Sequence, residues 1–137
     1  MYLPALPAIA RDLGTTLGAA QGTLSAFFLG MAVGQLVYGP LADRYGRRPP
    51  MLAGLAIFAL ASIACALATD VAALWLARLA QAVGSCAGIV VARAIARDLY
   101  DPLETARVFS RLMLITGIAP ILAPLAGAQL LAVAGWR

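Results

Sequence analysis

The sequence predicts an all-α membrane protein built as a bundle of about five helices. Hydrophobic residues make up 63% of the 137 residues and charged residues only 12%, with a mean hydropathy of +0.91. Soluble domains carry about twice that share of charge, and a soluble chain this short has too little interior for so much apolar surface. The charged residues cluster in short segments between the uncharged runs Leu13–Ala42, Pro49–Thr69, Leu79–Ala92 and Leu112–Trp136.

These runs and the turn residues between them predict five helices, at residues 1–13, 21–41, 50–68, 71–98 and 103–134. A spanning helix needs roughly 20 mostly apolar residues, and three of the four runs reach that length by themselves. The fourth helix reaches it when Val71–Ala77 is added to its run, which places Arg78 inside the span. Proline suits the first turn of a helix, as Pro49 or Pro50 does in helix 3 and Pro102 at the start of helix 5.

The first predicted helix is short. Only Met1–Ala10 precede Arg11 and Asp12, and ten helical residues cover about 15 Å, half of a bilayer core. No basic segment of a signal peptide precedes its apolar residues. We therefore expect residues 1–13 to be the end of a truncated helix.

Arginine placement predicts the orientation in the membrane. All ten basic residues are Arg, and the net charge is +4. Seven of them flank the turns between helices 2 and 3 and between helices 4 and 5: Arg44, Arg47, Arg48, Arg93, Arg97, Arg107 and Arg111. The opposite end has Arg11 and Arg137, so the positive-inside rule places the two Arg-rich turns in the cytoplasm. Placement in short turns argues against a nucleic-acid surface.

Small residues one turn apart mark helix faces that allow close backbone approach. Gly30 and Gly34 form such a pair in helix 2, and Gly84 and Gly88 form one in helix 4. They predict packing within the bundle, with a specific dimerisation face as the alternative. The chain has no His, its two Cys lie inside apolar runs, and no nucleophile or phosphate-loop motif is present. We therefore expect no enzyme activity, no metal site and no cofactor.

One charged turn interrupts the apolar pattern: Gly39-Pro-Leu-Ala-Asp43-Arg44-Tyr-Gly46-Arg47-Arg48-Pro49. Asp43 lies near the C-terminal end of helix 2, where the helix dipole disfavours negative charge. It therefore needs a cationic or helix N-terminal partner, and the neighbouring arginines can supply the cation. Gly46 permits a backbone conformation that other residues rarely adopt.

This turn resembles the signature loop of the major facilitator superfamily, which joins helices 2 and 3 on the cytoplasmic side, and every strong position matches. The resemblance implies a transporter that works by alternating access. It also implies a conformational-switch loop that engages a second, C-terminal half-bundle, absent from this sequence; its residues here are Gly39, Asp43, Arg44, Gly46, Arg47 and Arg48. A charged turn that only sets membrane topology is the alternative interpretation.

Further stretches resemble the Bcr/CflA drug-resistance branch of that superfamily: residues 1–7 (MYLPALP), 78–84 (RLAQAVG) and 93–98 (RAIARD). In that branch an Asp precedes the first stretch, and this sequence begins after that position. Residues 119–127 resemble a helix 5 motif associated with antiporters, with Ala at 119, 123 and 128 where the motif has Gly. The resemblance implies that Pro120, Pro124 and Gly127 shape the interface of helix 5; a fixed bend for packing is the alternative.

Arg78 and Gln81 are the predicted proton-coupling or substrate residues. An Arg within a span is rare and needs an inward or aqueous setting, and Gln81, one turn on, shares its helix face. The family motif implies that this pair acts near a proton site or a polar substrate. Snorkelling of Arg78 to the outer interface is the alternative.

The expected function is proton-coupled efflux of drugs or other small molecules across the bacterial inner membrane, as part of a longer transporter. The expected partners are the lipid bilayer, a small-molecule substrate, protons and the second half-bundle. Two alternatives remain open: a truncated helix bundle that transports nothing by itself, and a facilitator for a metabolite such as a sugar.

Overall fold

The computed structural model describes residues 5–134, with side chains described within residues 5–129. Five helices fill nearly all of this range: α1 Leu6–Asp12, α2 Leu17–Tyr45, α3 Arg48–Leu67, α4 Val71–Leu99 and α5 Pro102–Ala134. The described range contains no strand, and the predicted all-α bundle is confirmed. The first four residues of predicted helix 1, most of the MYLPALP stretch and Arg137 lie outside the described residues.

Helix α2 is longer at both ends than the sequence indicated. It starts at Leu17 instead of residue 21 because the Thr16 side chain caps it, accepting a hydrogen bond from the Ala19 amide at 3.2 Å. Gly18, a poor helix former, favoured a turn at this point in the sequence. At the other end α2 continues to Tyr45, so Asp43 belongs to its last turn.

Four of the helices are long and apolar enough to cross a membrane, within Leu17–Tyr45, Arg48–Leu67, Val71–Leu99 and Pro102–Gln129. Helix α1 covers seven residues of the described range. Its buried side chains Leu6 and Ile9 pack into a core cluster with Leu74 and Ala77 of α4. This cluster fills the end of the bundle opposite the Arg-rich turns.

Helix α4 lies at the centre of the bundle, and its contacts with α2 and α3 are the most extensive between any two helices described. Glycines on α2 face it directly. A Cβ atom added to Gly30 would lie 2.5 Å from the Leu79 carbonyl oxygen, and one added to Gly34 would lie 2.9 Å from the Cβ of Cys86. The small residues therefore serve packing inside the bundle at these positions.

The approach of α3 to α4 is equally close. A Cβ atom on Gly84 would lie 2.6 Å from the Phe58 nitrogen and 2.7 Å from the Gly54 carbonyl oxygen, both backbone atoms that cannot rotate away. Gly88, one turn further along α4, has open space around the same position. The glycine pair that looked equivalent in sequence thus has one member in a helix interface and one beside free space.

We expect Gly84→Ala and Gly88→Ala to have opposite effects on stability. The added methyl at Gly84 must push α3 away from α4, which costs about 1–3 kcal/mol of unfolding free energy. At Gly88 the methyl has open space and improves helix propensity, which stabilises by about 0.5–1 kcal/mol. Thermal unfolding of the chain in detergent, followed by circular dichroism, measures both. Equal melting temperatures for the two variants would contradict the packing described for α4.

Candidate functional site

An ion-pair bridge joins the turn after α2 to the end of α4. Arg47 donates from Nη1 to Asp43 Oδ1 at 2.6 Å and from Nε to Asp98 Oδ2 at 2.8 Å, with a longer contact from Nη2 to Asp98 Oδ1 at 3.4 Å. The planar guanidinium thus faces two carboxylates from two different helices. We call Asp43, Arg47 and Asp98 the charged bridge.

The charged bridge has a net negative charge, because one arginine pairs with two carboxylates. The two carboxylates raise the pKa of Arg47 further above its already high ordinary value, first through the hydrogen bond to Asp98 and then through that to Asp43. Arg47 therefore stays protonated at any physiological pH. Asp43 is largely exposed, and the Arg47 side chain is the most shielded of the three. Salt screens exposed charges, so this contact is suited to forming and breaking.

The remaining residues of the predicted switch loop shape the turn. Gly46 has a φ of +81°, in the region that L side chains rarely adopt, and this turns the chain from α2 into α3. Arg44 lies over the Tyr45 ring, 5.5 Å from its centroid, and Arg48 begins α3. Of the three neighbouring arginines that could have paired with Asp43, Arg47 is the one that does.

A second polar group lies inside the bundle, between α4 and α3. Arg78 donates from Nη1 to Gln81 Oε1 at 2.9 Å, and Gln81 donates from Nε2 to Ser62 Oγ at 2.8 Å. Ser62 in turn donates to the Phe58 carbonyl oxygen at 2.7 Å. Arg78, Gln81 and Ser62 are all partly buried. We call these three residues the polar chain.

The polar chain orients Arg78. Gln81 lies one turn deeper in the span than Arg78, and its Oε1 accepts a hydrogen bond from the Arg78 guanidinium. Cys65 lies at the edge of this group, with its Sγ 4.0 Å from Gln81 Oε1. Hydrogen bonds between helices satisfy polar side chains within a membrane. Here the bonds of Gln81 to Arg78 and Ser62 do so for a group that includes a positive charge.

The residues of the helix 5 motif lie apart from both groups. Pro120 and Pro124 are exposed and lie within the continuous helix α5, whereas Gly127 is buried. Their predicted role at an interface of helix 5 stays a prediction.

Two participants were not identified from the sequence as partners, Asp98 and Ser62. Asp98 follows Arg47 by 51 residues, and only the antiparallel course of α3 between α2 and α4 brings them together. Ser62 lies 19 residues before Gln81, in an apolar helix where serine is common. The sequence did contain an indication for Asp98. It is an acidic residue among arginines, at the end of a helix on the same predicted side of the membrane as Asp43.

We expect Arg47→Lys to loosen the cytoplasmic end of α2, because a lysine ammonium lacks the planar fork that reaches two carboxylates. Spin labels at the exposed Tyr45 and Leu99 would report this as a broader distance distribution by double electron–electron resonance. Arg48→Lys is the matched control, since Arg48 takes no part in the charged bridge, and it should leave the distribution unchanged. Identical distributions for both variants would show that the bridge does not hold these ends.

Comparison with known proteins identifies the family. The profile of the Major Facilitator Superfamily matches residues 1–137. The chain is 43% identical over 131 residues to "Uncharacterized MFS-type transporter YdgK" of Bacillus subtilis, covering 96% of this chain and 33% of that protein. It is 39% identical over 137 residues both to "Multidrug resistance protein D" of Escherichia coli K12 and to "Multidrug resistance protein MdtL" of Citrobacter koseri, covering all of this chain and 35% of each.

The chain therefore spans about a third of the length of the relatives it matches. The first of these relatives is named as a transporter, in agreement with the four helices of this chain that are able to span a membrane. This integral membrane protein belongs to the Major Facilitator Superfamily.

Proposed function

We propose that this chain forms the N-terminal helix bundle of a transporter that exports drugs or other small molecules from bacteria in exchange for protons. The observation on which this rests is the polar chain, headed by Arg78 inside an apolar helix. An ionisable residue within a span is costly, and it is by default a candidate for a substrate or proton pathway. The names of two relatives, both multidrug resistance proteins, support drugs as the substrate class.

The proposal includes a second half-bundle, supplied by the rest of a longer transporter. Secondary transporters place their binding site between structural repeats near the middle of the membrane. The chain spans about a third of its relatives, and the most apolar window of α5 has no buried residue among those described. In this proposal the face of α5 that carries Pro120, Pro124 and Gly127 contacts the second half-bundle.

The charged bridge is the proposed conformational switch. In this proposal Arg47 ties the turn after α2 to the end of α4 in one state of the transport cycle. Breaking its exposed hydrogen bonds releases the two helix ends, and Asp43 is then free to engage the second half-bundle. Gly39, Arg44, Gly46 and Arg48 complete the loop. The density of arginines at this end supports its placement on the cytoplasmic face of the inner membrane.

Arg78 is proposed to act on a proton site without carrying the proton. A guanidinium does not lose its proton in proteins, but it lowers the pKa of a nearby carboxyl. The six acidic residues of the sequence lie near helix ends and in turns. The proposal therefore requires a carboxyl from elsewhere in the transporter, or contact between Arg78, Gln81 and the substrate.

Drug susceptibility of an efflux-deficient bacterium tests the proposal. One strain expresses the chain alone, and another expresses it fused to the remaining two-thirds of Multidrug resistance protein D of Escherichia coli, with membrane insertion checked by immunoblot. We expect resistance from the fusion only, because the chain alone lacks half of the binding cavity. Within the fusion, Arg78→Gln should abolish resistance, while the matched Arg107→Gln, at an exposed position outside both polar groups, should retain it.

Three results bear on the alternatives. Absence of resistance from an inserted fusion would reject efflux and favour a helix bundle that does not transport. Resistance that is insensitive to Arg78→Gln would reject the assigned role of the polar chain. Drug uptake into everted vesicles that continues after the pH gradient is collapsed would reject proton coupling and favour a facilitator.

A further inference from the structure

Two arginines near the end of α4 are not used by the charged bridge. Arg93 and Arg97 lie one turn apart and are exposed. The two carboxylates nearest to them in the bundle end, Asp43 and Asp98, both form their ion pairs with Arg47. Arg93 and Arg97 line the cavity of about 280 Å³ beside that bridge, yet neither guanidinium has an ion-pair partner within the described part of the chain. Asp43 and Asp98 line the same cavity, so its three arginines and two carboxylates leave it with a net positive charge.

The same two arginines form one wall of a groove between α4 and α5. The groove has a volume of about 160 Å³, and its other wall is Phe109, Leu112, Met113 and Thr116 of α5. The Arg97 guanidinium lies over the Phe109 ring, 5.9 Å from its centroid. Of the residues that the structure describes, no acidic one lines this groove. It is therefore cationic on one side and mainly apolar on the other.

The apolar residues of the groove are aligned along the axis of α5. Residues 109, 112, 113 and 116 follow the three- and four-residue steps of a single helix face. They extend about 10 Å along α5, from the arginine level into the apolar span. An amphipathic ligand that lies parallel to α5, with its negative end at Arg93 and Arg97, matches this pattern.

We propose that this groove binds the headgroup phosphate of an anionic phospholipid. Two guanidiniums one turn apart can donate several charge-assisted hydrogen bonds to phosphate oxygens, and basic pockets between membrane helices are typical headgroup sites. The volume is below the roughly 300–1,000 Å³ of a drug site, so the groove holds the headgroup region. The acyl chains lie on the exposed apolar surface of α5, where Leu114 and Ile118 are among the exposed side chains.

A lipid fits this groove better than a free phosphate. A free phosphate gains nothing from the apolar wall, whereas the glycerol and first methylenes of a lipid bury apolar area against Leu112 and Met113. The inference does not depend on the transport activity, because it concerns a surface formed by α4 and α5 of this chain alone.

Native mass spectrometry of the detergent-purified chain tests the proposal. The probes are palmitoyl-oleoyl phosphatidylglycerol, the matching phosphatidylcholine and inorganic phosphate, each titrated separately at a fixed ionic strength. We expect the phosphatidylglycerol adduct to form with a Kd roughly tenfold lower than the phosphatidylcholine adduct. Inorganic phosphate should form no adduct at the same concentrations. This comparison uses the unaltered chain and needs no variant to fold.

Matched double variants locate the site. Arg93→Gln with Arg97→Gln removes the two groove charges, and Arg107→Gln with Arg111→Gln removes two exposed charges from the same end of the molecule but outside the groove. The first pair should raise the Kd for phosphatidylglycerol by roughly tenfold or more, the second by less than about threefold because exposed charges are screened. Circular dichroism confirms equal helix content in both.

Each contrary result overturns the inference. Equal weakening by the two pairs would show that the lipid responds to the overall charge of this end. Equal affinity for phosphatidylglycerol and phosphatidylcholine would show that the arginines do not select an anion. Phosphate binding as tight as lipid binding would show an anion site in which the apolar wall plays no part.

Discussion

The contact of α4 with both α2 and α3 is the constraint that positions every polar feature of this bundle. Gly30, Gly34, Gly54 and Gly84 bring the three backbones so close that a methyl group at any of them would collide with a neighbouring helix. In a bilayer, such close contact replaces the hydrophobic effect as the force between helices, because lipid is as apolar as the side chains. Helix α4 is consequently held along most of its length, and α5 is not.

This arrangement gives α4 a polar contact at three levels. Near its start, Trp75 donates from Nε1 to the Ala19 carbonyl oxygen of α2 at 3.0 Å. Further along, the polar chain links it to α3, and at its end Asp98 reaches Arg47. The Trp75 contact and the charged bridge are exposed, whereas the polar chain is partly buried.

The sequence predicted the number of helices, the charged turn and the position of Arg78 inside a span, because these depend on local composition. It did not predict which charged residues form ion pairs with one another. Arg44, Arg47 and Arg48 were equivalent candidates for Asp43, and only the φ of Gly46 and the nearness of Asp98 favour Arg47. Gly84 and Gly88 were likewise indistinguishable until α3 was placed beside one of them. Long-range pairing of this kind depends on how the helices pack, which helix periodicity alone does not determine.

Solid-state NMR of the chain in lipid bilayers, with ¹³C- and ¹⁵N-labelled glycine and phenylalanine, tests the packing of α4 most directly. Interhelical contact predicts through-space cross-peaks from the Gly84 Cα to the Gly54 carbonyl carbon and to the Phe58 nitrogen, since these backbone groups of α3 lie closest to Gly84. Gly88 should show no interhelical cross-peak. Absence of the Gly84 cross-peaks, or equal cross-peaks from both glycines, would contradict the close contact of α3 and α4 and with it the placement of the polar chain.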